Sequence, residues 1–401
     1  MKKHEHPHRI PVLAVAALAL AAGAAQAQDK LKIGFITDMS SLYADVEGKN
    51  GALAIQMAID DFGGKVNGMP IELLTADHQN KADIAASKAR EWIDTQGLTM
   101  LFGGTSSGTG LAMAKVAQEK KRVFVVNGAG SSALTNEQCS PYTVHYAYDT
   151  VALAKGTGSA VIARGDKSWY FLTADYAFGQ ALEADATKVI KEKGGSVLGS
   201  VKHPLNTSDF SSYLLQAQNS KAQVLALANA GGDTINAIKA AREFGIAKTM
   251  KMVGLLVFVT DVHSLGLKTT EGLLLTTSWD WNLDEKTRAF GRRFFEKTKR
   301  MPTDIQAADY SATTTYLKAV QAAKTVDADQ VMAKIKSTPI DDFYAKGTVR
   351  ADGRFVHDMY LVQVKSPAES KEPWDYYKVV QKLKGEEVFT TKAESRCALW
   401  K

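Results

Sequence analysis

Short apolar runs along this chain alternate with segments whose apolar positions return every three or four residues. The runs have the pattern of strands buried on both faces, and the periodic segments have the stripe of amphipathic helices. LKIGFIT at 31–37 opens the series and ends in a polar loop at 38–48. Beyond the loop, Gly51, Ala52, Ile55, Ala58, Ile59 and Phe62 share one helical face, and Gly63-Gly64 stops that helix. The same reading predicts strands at 70–76, 100–102 and 123–127, with helices at 81–94 and over the segment ending at Lys121. The rhythm pauses at 141–148 and restarts. Helices at 151–164, 180–193, 210–219 and 234–244 then alternate with strands at 169–173, 196–203, 224–228, 251–255 and 272–277. After 285 the chain turns helical (285–299, 305–325, 328–336), and strand-like stretches at 355–364 and 376–381 finish it. This order predicts two successive parallel α/β units. An alternation that stops, restarts and stops again implies a chain that crosses between two lobes more than once.

The stretch MLFGGTSSGTGLAMAKVAQEKK at 100–121 carries the most chemistry. Its loop, Gly103 to Gly110, has almost no side-chain bulk and no formal charge, and it leads into a helix. Unpaired amides and the positive dipole end at such a place favour an anion. Three readings compete. Gly104-Thr105-Ser106-Ser107-Gly108 fits the G-x-S-x-G elbow of a secreted serine hydrolase, with Ser106 as nucleophile. A phosphate loop fails, because no Lys follows Gly108. The third reading is a ligand loop at the carboxyl end of a parallel sheet. A second small loop, Gly128-Ala129-Gly130-Ser131-Ser132, fits G-x-G-x-x-A with Ala133, but Asn136 and Ser140-Pro141 interrupt the long helix that a dinucleotide needs. The hydrolase needs a later His and acid. His145, His203 and His357 do not close strand-to-loop units, and no His-Gly-Gly-Gly segment precedes Ser106. No carboxylate pair and no metal-spaced cluster stands out, so neither catalytic residue, metal nor cofactor is expected.

The 401 residues suffice for two domains, and the formal charge of +6 is dispersed. The densest basic group, Arg288, Arg292, Arg293, Lys297, Lys299 and Arg300, shares a helix with Phe290, Phe294 and Phe295, which reads as a solvated face rather than a nucleic-acid patch. Residues 1–27 read as an export signal: Lys2, Lys3 and Arg9, an uncharged apolar stretch over 11–25, and Ala25-Gln26-Ala27 for cleavage. His4, His6 and His8 fall inside it. No Cys stands at the cleavage point, so no lipid anchor is expected. Cys139 and Cys397 are then an even pair in an oxidising compartment, which suggests a disulfide.

The export signal, the two sequential α/β units and the opening LKIGFITDMSSLYADVEGKNGALAIQMAIDDFGGKVNGMPIELLTAD together resemble the type I periplasmic substrate-binding proteins of the branched-chain amino acid (Leu/Ile/Val) ABC importers. The resemblance spans nearly the whole exported chain. It implies an α/β fold of two lobes, each a parallel sheet flanked by helices, with three inter-lobe crossings near 143–148, 275–278 and 340–343. Lobe 1 would hold residues 28–145 plus 277–342, and lobe 2 residues 146–276 plus 343–401. The resemblance also implies a monomer that encloses a small carboxylate and delivers it to a membrane permease; an exported ligand sensor is another use of the same fold. Its ligand loops fall on Ser41 and Tyr43; on Thr105, Ser106 and Ser107; and on Asn127, Gly128 and Ala129. Tyr148 and Asp149 follow at the first crossing, and the second lobe supplies Tyr176, Phe178, Asn229 and Leu256. Hydroxyls at 105–107 would receive the carboxylate, and Tyr43, Tyr148, Tyr176 and Phe178 would form the walls. One departure matters. Asp149 stands where one ammonium-binding acid belongs, but Gly254-Leu255-Leu256-Val257-Phe258 holds no second acid, which favours an apolar or aromatic carboxylate over an α-amino acid.

Overall fold

Alternate residues of each central strand enter different cores. Leu31, Ile33 and Phe35 join one apolar cluster with Met100, Phe102, Val123 and Val125. Their neighbours Ile36, Leu101, Phe124 and Val126 join another. A strand buried on both faces needs helices on both sides, and this is why the runs read as continuous rather than alternating. The computed structural model describes residues 30–401 with Met1 and Lys3; apart from those two, the leader expected at 1–27, with His4, His6 and His8, lies outside the described residues.

The first sheet has six strands, in the order Lys65–Val66, Met69–Asp77, Leu31–Thr37, Met100–Gly103, Val123–Val126, Thr143–His145. All pairs are parallel except the short hairpin at its edge. The second sheet is parallel, in the order Lys251–Gly254, Val224–Ala228, Ser168–Ala174, Ser196–His203. It repeats the two-faced burial, with Trp169 and Phe171 in the shared cluster and Tyr170 and Leu172 in a third. Loops at the carboxyl ends of both sheets face one another across a cleft.

Four differences from the sequence reading have physical causes. The run at 272–277 does not extend the second parallel sheet; Leu274–Thr277 pairs antiparallel with Met359–Val364, which pairs with Tyr377–Leu383. The run at 355–364 is two strands, Phe355–His357 and Met359–Val364, parted at Asp358, whose carboxylate accepts the Gly385 amide at 3.1 Å. The helix at 151–164 contains a π turn, Ala154–Gly158, where Gly156 lies against Thr276 and the Thr157 hydroxyl meets that of Thr276 at 2.8 Å. Helices Val259–Leu265 and Leu267–Thr270 occupy a segment where the sequence reading predicts no element.

Cys139 and Cys397 are joined by a disulfide, with Cα atoms 5.7 Å apart. The tail it holds reaches both sides of the molecule. Arg396 pairs with Glu137 at 2.6 Å, and Glu394 pairs with Lys155 at 3.0 Å and Lys188 at 3.4 Å.

Candidate ligand-binding site

Between the two sheets lies a narrow cavity, closed down in this structure. Tyr43, Val46, Thr105, Ser107 and Gly128 line it from the first sheet's loops. Tyr176, Phe178, Ala230, Leu256 and Phe258 line it from the second's, and Tyr148 lines it from the segment after Thr143–His145. No charged side chain is among them. The lobes meet over it: the Tyr43 and Tyr176 hydroxyls are 2.5 Å apart, and Gly130 packs on the Phe178 ring. Burial pushes both phenols above their ordinary range, so each stays neutral.

Three of the four hydroxyls in the loop at 103–110, those of Thr105, Ser106 and Ser107, have separate tasks. Thr105 donates to Glu47 Oε2 at 2.5 Å, so its hydroxyl proton points away from the cavity and its methyl packs by Gly128. Ser106 caps the helix Ser107–Lys120: its Oγ accepts the Thr109 amide at 3.5 Å and lies 3.1 Å from the Thr109 hydroxyl. Ser107 lines the cavity, and its Oγ accepts the Ser131 amide at 3.0 Å, which leaves its own proton to donate. Ser107 and Gly108 begin the helix, so their amides have no intrahelical acceptor. The Ser107 hydroxyl, on a residue that lines the cavity and opens the helix, is therefore the donor this loop offers. Among the described residues no histidine is hydrogen-bonded to Ser106. His145 is buried and bonded to the Ala129 carbonyl at 2.7 Å, His203 lies against Phe210, and burial lowers His357 to about 4 among the carbonyls of the first crossing.

The remaining sequence-predicted residues surround the cavity without lining it. Ser41 bonds Asp38 at 2.6 Å and shapes the turn that presents Tyr43, whose amide also bonds Asp38 at 3.0 Å. Asn127 donates to Asp309 at 2.6 Å beneath the floor. Ala129 is buried in the cluster behind the first sheet. Asn229 bonds His203 at 3.1 Å and Thr234 at 2.7 Å, and its neighbour Ala230 reaches the cavity instead. Asp149 caps Thr150–Leu153 through the Ala152 amide at 2.8 Å, and its other oxygen lies 3.7 Å from Arg354. That buried guanidinium also donates to the carbonyls of Tyr146 at 2.6 Å, Tyr148 at 2.9 Å and Phe355 at 3.0 Å. Asp149 is thus committed to the crossing.

Ala230 and Phe258 fall within the ligand loops 229–233 and 255–258 that the resemblance implies, whereas sequence reasoning missed Val46 and, beneath the cavity, Glu47 and Asp309. Phe258 lies in the acid-free stretch that was singled out for what it lacks. Nothing in the local pattern marks Val46.

Residues 30–371 match the family described as periplasmic binding protein. A solved periplasmic binding protein from Burkholderia mallei is 67% identical, covering 93% of this chain and 100% of that one, with a TM-score of 0.92. A branched-chain amino acid ABC transporter periplasmic ligand-binding protein from Burkholderia xenovorans LB400 is 41% identical over 93% of this chain and 100% of that one, with a TM-score of 0.83. An ABC transporter solute-binding protein from R. palustris, solved in complex with 4-hydroxybenzoate, shares the fold at 23% identity and a TM-score of 0.81, covering 89% and 97% of the two chains.

Proposed function

This chain belongs to the periplasmic binding protein family, and on that footing we propose that it is the solute-capturing component of an ABC importer for an apolar or aromatic carboxylate. The observation that carries the ligand class is the cavity lining. It offers a hydroxyl, first-turn amides and neutral phenols, with aromatic and aliphatic walls and no carboxylate for an ammonium. An α-amino acid closed into such a space leaves its ammonium without an acceptor of opposite charge, whereas a plain carboxylate finds donors at Ser107 and the helix start. The R. palustris protein with 4-hydroxybenzoate supports the same class on the same fold.

The working unit in this reading is a periplasmic monomer, exported by the segment 1–27, that hands its ligand to a membrane permease. We read lobe 1 as 28–145 plus 277–342, and lobe 2 as 146–276 plus 343–401. The last strand of the first sheet, Thr143–His145, and the packing of the late helix Asp304–Ala323 on Gly48–Asp61 support that division. Native mass spectrometry of the purified protein weighs any retained ligand. Thermal shifts then compare leucine with 4-methylpentanoate, phenylalanine with phenylpropanoate, and both with benzoate and 4-hydroxybenzoate. The desamino acids are expected to raise Tm, since a ligand bound by the native state alone stabilises it. A clear preference for the amino forms overturns the ligand class and leaves the transport role standing.

A further inference from the structure

Two carboxyl groups meet beneath the cavity floor. Glu47 and Asp309 are both fully buried and lie side by side against Gly51. Gly51 leaves the room for them: a Cβ there would sit 2.5 Å from Asp309 Oδ2 and 3.1 Å from Glu47 Cγ. The outer oxygens are taken. Glu47 Oε2 accepts the hydroxyls of Thr105 and Thr37, and Asp309 Oδ1 accepts the Asn127 amide. The inner ones, Glu47 Oε1 and Asp309 Oδ2, have no donor from any other group among the described residues. Two bare carboxylate oxygens cannot share a dry space, because neither like charge is solvated. A proton between them removes the conflict.

We propose that Glu47 and Asp309 share a proton, and that this proton-linked pair positions Thr105 and Asn127 and sets how strongly the cavity accepts an anion. The pair ties the ends of three strands, through Thr37, Thr105 and Asn127, to the late helix Asp304–Ala323. It is a positioning pair, since neither carboxyl lines the cavity. Burial raises both groups. Glu47 rises to about 7 despite the hydroxyls that lower it, and Asp309 is held well above its ordinary range by burial and then by the charge of Glu47. Around them, Asp38 adds negative charge on Glu47, Tyr148 stays neutral above it, and Gln306 donates only to the Glu47 backbone carbonyl. Below about 7 the pair is neutral. Above it the pair carries one negative charge, directly behind Thr105. An anionic ligand therefore binds better to the neutral pair, and by reciprocity its binding draws in a proton.

The inference rests on the carboxylate reading above, and the test separates the two. Titration calorimetry with benzoate and 4-hydroxybenzoate, in buffers of different ionisation heat between pH 6 and 8.5, should show wild-type affinity falling about fivefold as pH rises, with proton uptake near neutrality. Glu47→Gln keeps an acceptor for the two hydroxyls and supplies a donor to Asp309. It and Asp309→Asn should each bind with little pH dependence and no uptake. Uptake that persists in both variants overturns the proposal, because it then comes from another group such as Asp233 or Asp261. If the wild type binds neither acid, the ligand class fails while the pair stays testable without ligand. The infrared band of a buried protonated carboxyl should be present at pH 8.5 in the wild type and absent in Asp309→Asn. A wild type without that band overturns the pair even if the variants do not fold.

Discussion

The two walls of the cleft solve opposite problems. The first-lobe wall is built from backbone and short hydroxyls: Thr105, Ser107 and Gly128, with the start of a helix behind them. The second-lobe wall is built from Tyr176, Phe178, Ala230, Leu256 and Phe258, and offers almost nothing polar. One wall orients charge and the other excludes water, so a ligand must match both at once. The difference teaches where specificity resides. Under the proposed ligand class, the polar wall would fix a carboxylate in one place, and the apolar wall, by lacking an acid, would select what is attached to it.

The crossing between the walls is built around a buried cation. Arg354→Met removes the guanidinium that holds the carbonyls of Tyr146, Tyr148 and Phe355 and leaves Asp149 unpaired. Chemical denaturation should show a loss of about 3–5 kcal/mol, the usual cost of stripping a buried charge of its partner. A loss below about 1 kcal/mol would mean the crossing holds the walls without it.

Neighbouring serines sharpen the contrast within the polar wall. Ser107→Ala should weaken carboxylate binding by about 1.5–3 kcal/mol, read by calorimetry, with Tm little changed. Ser106→Ala should do the reverse, costing about 0.5–2 kcal/mol of stability through the lost cap. Equal effects of the two on affinity would dissolve the division of labour drawn here.

Gly130→Ala tests how tightly the walls approach. Its new methyl would lie 2.9 Å from the Phe178 ring and 3.0 Å from that of Tyr148. Closure should become costlier by about 1–3 kcal/mol, and scattering with saturating ligand should report a larger radius of gyration than the wild type. A smaller effect is expected at the rim. Tyr43→Phe deletes the hydroxyl that meets Tyr176, and should weaken binding by about 0.5–1.5 kcal/mol; an unchanged affinity would assign closure to the apolar wall alone.

Much of the fold was legible because its strands are buried on both faces, so that LKIGFIT or MLFG announce themselves without their neighbours. The loop at 103–110 was legible for a related reason, since small residues at a strand-to-helix junction mark a close approach. What stayed hidden depends on distant partners. Thr105, Ser106 and Ser107 look alike in the sequence, and only Glu47, Thr109 and Ser131 separate their tasks. Asp149 looks like a free acid until Arg354 arrives from 205 positions away. Antiparallel pairing of Leu274–Thr277 with Met359–Val364 is likewise a long-range fact that no local period encodes.

The Cys139–Cys397 bond changes how the chain carries load. It closes 139–397 into a covalent ring that encloses the whole four-stranded sheet and the helices after it. Tension applied between residue 30 and the C-terminus passes through 30–139, across the sulfur bridge and out through the last few residues. The second sheet and everything else inside the ring are bypassed. A single backbone cut anywhere in that loop leaves one connected molecule, while the first five strands of the first sheet, outside it, have no such insurance.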